Sequence, residues 1–242
     1  MAIKNANPAD MLIVALDLPD IKEINGLLSK IHTEIRWAKI GRPHIVSEVV
    51  GLSNMISATG SFGISAFCDA KLWNTLLEMA KEMRSISSLG PQIISVSAMA
   101  GQRAVEKCLK EKGFSKVVGV GVPTTVSDRE CMSCYGGLRR FDVNFKFADM
   151  LRKAGADGMV TSGKPDEIGA VRAIWPEALL LATSIRDQKL DGDDQEHTGT
   201  IEEALGAGAN MLIIGREIYS ASDPLKKVLE LKERIARTLA NY

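Results

Sequence analysis

Asp69 and Lys71 stand two residues apart at the end of an apolar run, Ile64-Ser65-Ala66-Phe67. Side chains two apart on an extended strand point the same way. This spacing directs a carboxylate and an ammonium into one space at a strand exit. Such a pair can hold opposite charges ready around a reacting atom, and it can equally be a structural ion pair. Charges leaving a buried strand are costly unless well paired or used, and the stretch alone leaves both readings open. Asn74 and Thr75 follow and open an apolar helical pattern.

Comparable residues recur at the ends of other apolar runs. Residues 11–16 end in Asp17, and residues 35–41 carry Lys39 near their end. Ser127 lies in the loop after the fifth run, Gln188 in the loop after the seventh, and Gly215 with Arg216 closes the eighth. In Ile213-Ile214-Gly215-Arg216 a small residue and then a cation occupy a strand exit before a short helix. Backbone N–H groups and a guanidinium at such a turn suit a phosphate dianion. Each residue also has a plain reading: Asp17 as a helix cap, Lys39 with its head snorkelling to water, Arg216 paired to a neighbouring acid. Their collection at one end of the strands, with no such set at the other end, favours a site.

The elements that must position them alternate strictly. Strands are expected over 11–16, 35–41, 64–71, 92–97, 117–122, 158–161, 178–182 and 210–215. Helices are expected from Pro19 and Asp20 to Ile31, then over 43–58, 72–86, 102–112, 143–154, 165–174, from Thr200 to Leu205, and over 224–239. The loops 123–142 and 183–199 are long, and the second is rich in charge. Strict βα alternation over this length predicts an α/β chain folded as a (β/α)8 TIM barrel. The competing doubly wound sheet is expected to carry a Gly-rich turn after an early strand, and none is present. No linker divides the chain, so 1–242 reads as a single barrel domain with residues 1–10 as a polar N-terminal extension.

Composition sets the broad class. Lys and Arg balance Asp and Glu at 30 each, which gives no electrostatic argument for nucleic-acid binding. No apolar stretch is long enough to span a bilayer, and the N-terminus lacks a signal-peptide core, so the expected location is cytoplasmic. Four cysteines make no disulfide framework in a chain of 242 residues. Cys131-Met132-Ser133-Cys134 has metal-like spacing but no second pair and no nearby histidine, and reads as loop cysteines rather than a zinc or redox site.

The chain resembles the orotidine 5′-monophosphate decarboxylase family. The resemblance rests on Val14-Ala15-Leu16-Asp17, Lys39-Ile40-Gly41, Asp69-Ala70-Lys71 with Asn74-Thr75, and Ser127. It continues through Ser184-Ile185-Arg186-Asp187-Gln188, Gly192-Asp193-Asp194-Gln195, Thr200-Ile201-Glu202-Glu203-Ala204-Leu205 and Gly215-Arg216-Glu217-Ile218-Tyr219. The resemblance implies direct loss of a pyrimidine carboxylate from a nucleotide, with no metal and no organic cofactor. It implies that Lys71 protonates the carbanion, that Asp69 sits beside the leaving carboxylate, and that Lys39 and Asp17 hold ribose hydroxyls. It further implies Ser127 on the pyrimidine, Gln188 and Arg216 on the phosphate, and Thr75 lent to the partner's site in a homodimer.

The chain also departs from the family pattern. The second aspartate of Asp-x-Lys-x-x-Asp is missing, with Glu78 the nearest acid in sequence to take its place. Ser97 stands for a histidine, and Thr183 and Ser184 for a proline and a glycine. The alternatives to a working decarboxylase are an impaired nucleotide- or phosphosugar-binding relative, or a lyase for another phosphorylated sugar acid.

Overall fold

The computed structural model describes residues 7–47, 51–186 and 197–241. A helical turn, α1 (Pro8–Met11), opens the chain, with the Asn7 side chain accepting from Ala9 N at 3.0 Å. Then β1 (Leu12–Ala15) leads to α2 (Ile21–Ile31), and β2 (Trp37–Gly41) to α3 (Arg42–Ile45) and α4 (Leu52–Ser61). β3 (Ser65–Leu72) leads to α5 (Leu76–Ser87), and β4 (Ile93–Ser97) passes through a 3-10 turn into α6 (Gln102–Leu109). β5 (Lys116–Val120) is followed by α7 (Asp128–Cys134) and α8 (Arg140–Ala154), and β6 (Gly158–Ser162) by α9 (Pro165–Ile174). β7 (Leu179–Thr183) leads to α10 (Ile201–Gly206), and β8 (Met211–Ile214) to α11 (Arg216–Tyr219) and α12 (Pro224–Ala240).

The strands pair in parallel in chain order, and β8 returns to β1, so the expected barrel is the architecture. Its strands are covered on both faces, which is why they read as continuous apolar runs. Ile13, Ala15, Phe67, Ile93, Val118, Leu181, Met211 and Ile213 fill the interior, with Trp37, Val160 and Leu179 against them. The outward residues pack under the helices; α2 buries Ile24, Leu27, Leu28 and Ile31, one stripe at helical spacing. Interior positions continue upward by twos. Two residues beyond Ala15, Trp37, Phe67 and Ile93 lie Asp17, Lys39, Asp69 and Ser95. The same pleat that buries the core therefore delivers polar side chains to the C-terminal mouth.

The opposite end is polar too, contrary to expectation, and its polar groups are used up by backbone. Gln92, Asp157 and Asn210, each just before a strand, donate their own N–H to Ala66, Val117 and Leu180. Their side chains accept the N–H of those same residues at 2.7, 2.8 and 2.8 Å. Lys112, from the loop after α6, braces Asp157, and Arg172, from α9, braces Asn210. Such closure serves stability, not chemistry. Asp157→Ala should lower unfolding free energy by about 1–3 kcal/mol, the cost of an orphaned buried N–H. The measurement is chemical denaturation, with turnover per folded molecule unchanged.

Three expectations change. Residues 43–58 do not form one helix: α3 ends at Ile45 and α4 restarts after Gly51, whose φ of +67° breaks helical geometry. Part of that interval, 48–50, lies outside the described residues. The 123–142 loop contains α7, nucleated by a capping box between Ser127 and Glu130, and α8 starts at Arg140 rather than at 143. Residues 8–10, expected in a polar extension, are helical because Ala9 and Met11 bury against the barrel; residues 1–6 lie outside the described residues.

Candidate active site

At the mouth, four charges of alternating sign form a chain. Lys39 Nζ donates to Asp17 Oδ1 at 2.9 Å and lies 3.9 Å from Asp69 Oδ2. Lys71 Nζ donates to the same Asp69 oxygen at 2.5 Å. Ser95, from β4, donates to Asp69 Oδ1 at 2.8 Å and accepts Lys71 N at 2.9 Å. Asp69 is buried, whereas the Lys71 side chain is 43% exposed and so can meet a ligand.

The local backbone explains this arrangement. Lys71 is left-handed, with φ +47°, and the β3–β4 register shifts between Cys68 and Leu72. The simple alternation argument for Asp69 and Lys71 therefore gives the right side of the strand by an incomplete route. A bulge-like irregularity re-aims the lysine, and Ser95 and the Arg42 guanidinium, which donates to Ala70 O at 3.3 Å, hold it. Gly41 makes room: a Cβ there would lie 2.8 Å from Asp17 Oδ1 and 3.4 Å from Lys39 Nζ.

A cavity of about 260 Å³ opens above these charges. Asp17, Lys39, Asp69 and Lys71 bound it on the β1–β3 side, and Gly215, Arg216 and Tyr219 on the β8 side. The β5–β7 side is made of Val120, Val122, Thr124, Thr125, Thr183 and Ser184, with Arg140 and Arg186. Thr124 Oγ1 and Ser184 Oγ lie 3.1 Å apart and tie the fifth loop to the seventh. Arg140 is buried and paired with Glu167 from α9. Its Nη2 also donates to Val122 O at 3.0 Å and its Nε to Pro123 O at 3.3 Å. Glu167 in turn accepts from Ser162 Oγ at 2.8 Å and from Asn144 Nδ2 at 3.3 Å.

Burial alone would push the Asp69 carboxyl up. The ammonium groups of Lys39 and Lys71, with hydrogen bonds from Lys71 and Ser95, outweigh it and hold the group below the ordinary carboxylate range. Burial likewise opposes charge on Lys39, and Asp69 and Asp17 outweigh it, raising its value above that of an ordinary lysine. Asp69's contribution to stability is therefore complete above its unfolded value of about 3.9 and is lost as pH falls through the lower folded value. Lys39's contribution is complete below about 10.4 and is lost as pH rises through its higher folded value. The stability difference between wild type and Asp69→Asn should thus be flat from about pH 5 to 9 and shrink only below about pH 4. Denaturation at a series of pH values checks this; a collapse near pH 6 would contradict it.

The structure thus brings Asp17, Lys39, Asp69, Lys71, Gly215 and Arg216 to one cavity. Ser127 does not line it; its hydroxyl is spent on Glu130 at 2.7 Å as the cap of α7. Thr75 is exposed on the outer surface at the N-terminal flank of α5, where its side chain makes no capping hydrogen bond and Asn74 Oδ1 accepts its N–H at 2.7 Å. Gln188 lies outside the described residues. Sequence reasoning missed Ser95, Arg140 and the Thr124–Ser184 link. The signals available were a serine inside the apolar run of β4, polar residues just after β5 and β7, and the basic pair Arg139-Arg140 in the fifth loop.

The cysteines stand apart. Cys68, behind Asp69, is pushed up to about 12 by burial and by that carboxylate. Cys131 is buried within α7, whereas Cys134 is exposed. Among the described residues no group of three or more His, Cys, Asp or Glu side chains gathers to hold a metal.

Comparison with known proteins points one way. A family model described as Orotidine 5′-phosphate decarboxylase / HUMPS family matches residues 10–231. An orotidine 5′-phosphate decarboxylase of Novosphingobium aromaticivorans is 29% identical over 215 residues, covering 88% of this chain and 94% of the relative. One of Thermobifida fusca is 30% identical over 241 residues, covering 95% and 97%. The crystal structure of an orotidine 5′-phosphate decarboxylase from Lactobacillus acidophilus shares the fold, with a TM-score of 0.77 at 22% identity over 93% of this chain and 99% of that one.

Proposed function

The chain belongs to the orotidine 5′-phosphate decarboxylase / HUMPS family, and from that premise we propose that it converts orotidine 5′-monophosphate to uridine 5′-monophosphate in pyrimidine synthesis. The observation that carries the reading is the unbroken charge chain Asp17–Lys39–Asp69–Lys71 at the barrel mouth, facing Arg216 across one cavity. The bond from the ring to the carboxylate breaks, carbon dioxide leaves, and the electron pair stays on the ring carbon. Lys71 gives that carbon a proton and is reprotonated from water. Its ammonium is already in place as charge develops, so little reorganisation accompanies the reaction. Asp69 presents a fixed negative charge beside the departing carboxylate. Lys39 and Asp17 hold the ribose hydroxyls. Arg216 and the backbone at Gly215 take the phosphate, whose binding energy orients the reacting end.

Among the described residues Lys71 meets no second acid. Residues 73–75 run straight from β3 into α5, and Glu78 is spent on Lys81 at 2.7 Å. The relatives' names nonetheless favour a decarboxylase over an impaired binder or a lyase for a phosphorylated sugar acid. Following pyrimidine absorbance after adding orotidine 5′-monophosphate to the purified protein tests the reading. Steady loss supports it; no loss at saturating nucleotide overturns it.

A homodimer and cytoplasmic residence belong to the same proposal. Val46 and Trp73 are exposed and line an open groove beside the β3 exit, next to Thr75. A second copy over this face would cover them and carry Thr75 toward the partner's ribose. No helix among the described residues is long and apolar enough to cross a membrane. Sedimentation should give a dimer that Trp73→Glu dissociates.

A further inference from the structure

The cavity has two unlike walls. The β1–β3 wall is ionic, whereas the β5–β7 wall is apolar and hydroxyl-bearing, with a single buried guanidinium, Arg140, among its described residues. Arg140 comes from the start of α8, outside the strands, and is only 3% exposed. Its Nε and one hydrogen each of Nη1 and Nη2 are taken by Pro123 O, Glu167 and Val122 O. Among the described residues, the second hydrogen on each terminal nitrogen has no acceptor.

Burying an arginine is costly, since desolvation opposes the attraction of its ion pair, and this one stands at the end of the barrel where sites form. Glu167 is itself over-determined, receiving Ser162 N, Ser162 Oγ and Asn144 Nδ2. Asn144 also accepts Val122 N at 2.8 Å, an approach open only because Gly121 has no Cβ. The guanidinium is thus fixed before any ligand arrives, which keeps the ordering cost of using its remaining donors low.

Resting on the nucleotide reading above, we propose that Arg140 determines specificity for the heterocycle. Its spare N–H groups donate to a ring carbonyl oxygen on the edge of the base turned away from Lys71. Apolar lining with a few fixed polar groups suits such a ring. A charged donor withheld from a carbonyl should cost roughly tenfold to hundredfold in affinity. Ser127, spent on capping α7, leaves this role open.

Two ligands separate this role from mere support of the fold: uridine 5′-monophosphate, and ribose 5-phosphate, which lacks the base. Wild type should prefer the nucleotide by titration calorimetry. Arg140→Lys should bind the nucleotide at least tenfold more weakly and ribose 5-phosphate unchanged. The double variant Arg140→Met with Glu167→Met removes both buried charges and should fold, and it should show the same selective loss. Equal loss for both ligands, or an undiminished preference for the nucleotide, overturns the proposal. Absence of decarboxylation in a wild type that still prefers the nucleotide through Arg140 would instead count against the reaction alone.

Discussion

Lys71→Ala is expected to lower kcat by on the order of 10³-fold or more, the combined scale of a lost proton donor and a lost preorganised charge. Affinity for uridine 5′-monophosphate should change little, because the product carries no carboxylate and the ribose, phosphate and base contacts that hold it do not depend on Lys71. Stability should also change little. The Lys71 side chain is 43% exposed, and Asp69 keeps Lys39 and Ser95. The backbone supplies a control. Lys71 holds φ at +47°, where glycine is at ease and alanine is not. Lys71→Gly should therefore be more stable than Lys71→Ala by about 1 kcal/mol while equally inactive. A pair of variants that differ in stability but share the loss of turnover would locate the defect in the ammonium. The strain at Lys71 would then be a cost the fold bears for chemistry.

Glu167→Ala should destabilise the protein by about 3–5 kcal/mol, the usual result of leaving one member of a buried ion pair unpaired. The carboxylate joins α9 to Arg140 and, through Arg140, to the carbonyls of Val122 and Pro123 that open the fifth loop. Its loss also strands Ser162 and Asn144. Glu167→Gln keeps an acceptor and should lose less. Removing both charges, with methionine at Arg140 and Glu167, should recover much of the stability, because the desolvation cost disappears along with the attraction. Urea denaturation of the three variants measures this directly. A Glu167→Ala variant within about 1 kcal/mol of wild type would show that the pair is open to solvent.

The barrel was legible because both faces of each strand are covered, so each strand announces itself as an apolar run between helical patterns. Asp17, Lys39, Asp69, Lys71 and Arg216 were legible for the same reason: they end such runs, and topology sends all those ends to one mouth. Ser127 was legible as a polar loop residue but not as a cap. The Ser-x-x-Glu spacing that claims its hydroxyl was in view and went unread. Arg140 was hidden because its route to the cavity runs from a helix start through Glu167, which lies 27 residues away in the chain. Gln92, Asp157 and Asn210 look like ordinary turn residues in sequence. Only the closed sheet reveals that each completes a bidentate backbone pairing at the barrel floor.

The Asp17–Lys39–Asp69–Lys71 chain is proposed to expel a carboxylate as carbon dioxide and to return a proton to the same carbon. The measurement closest to this chemistry is turnover of orotidine 5′-monophosphate by the wild-type protein in deuterated water, with the product examined by proton NMR. The expected product is uridine 5′-monophosphate carrying deuterium at the ring carbon that lost carbon dioxide, absent with Lys71→Ala. Recovery of the substrate unchanged from wild type, or equal product from Lys71→Ala, would contradict it.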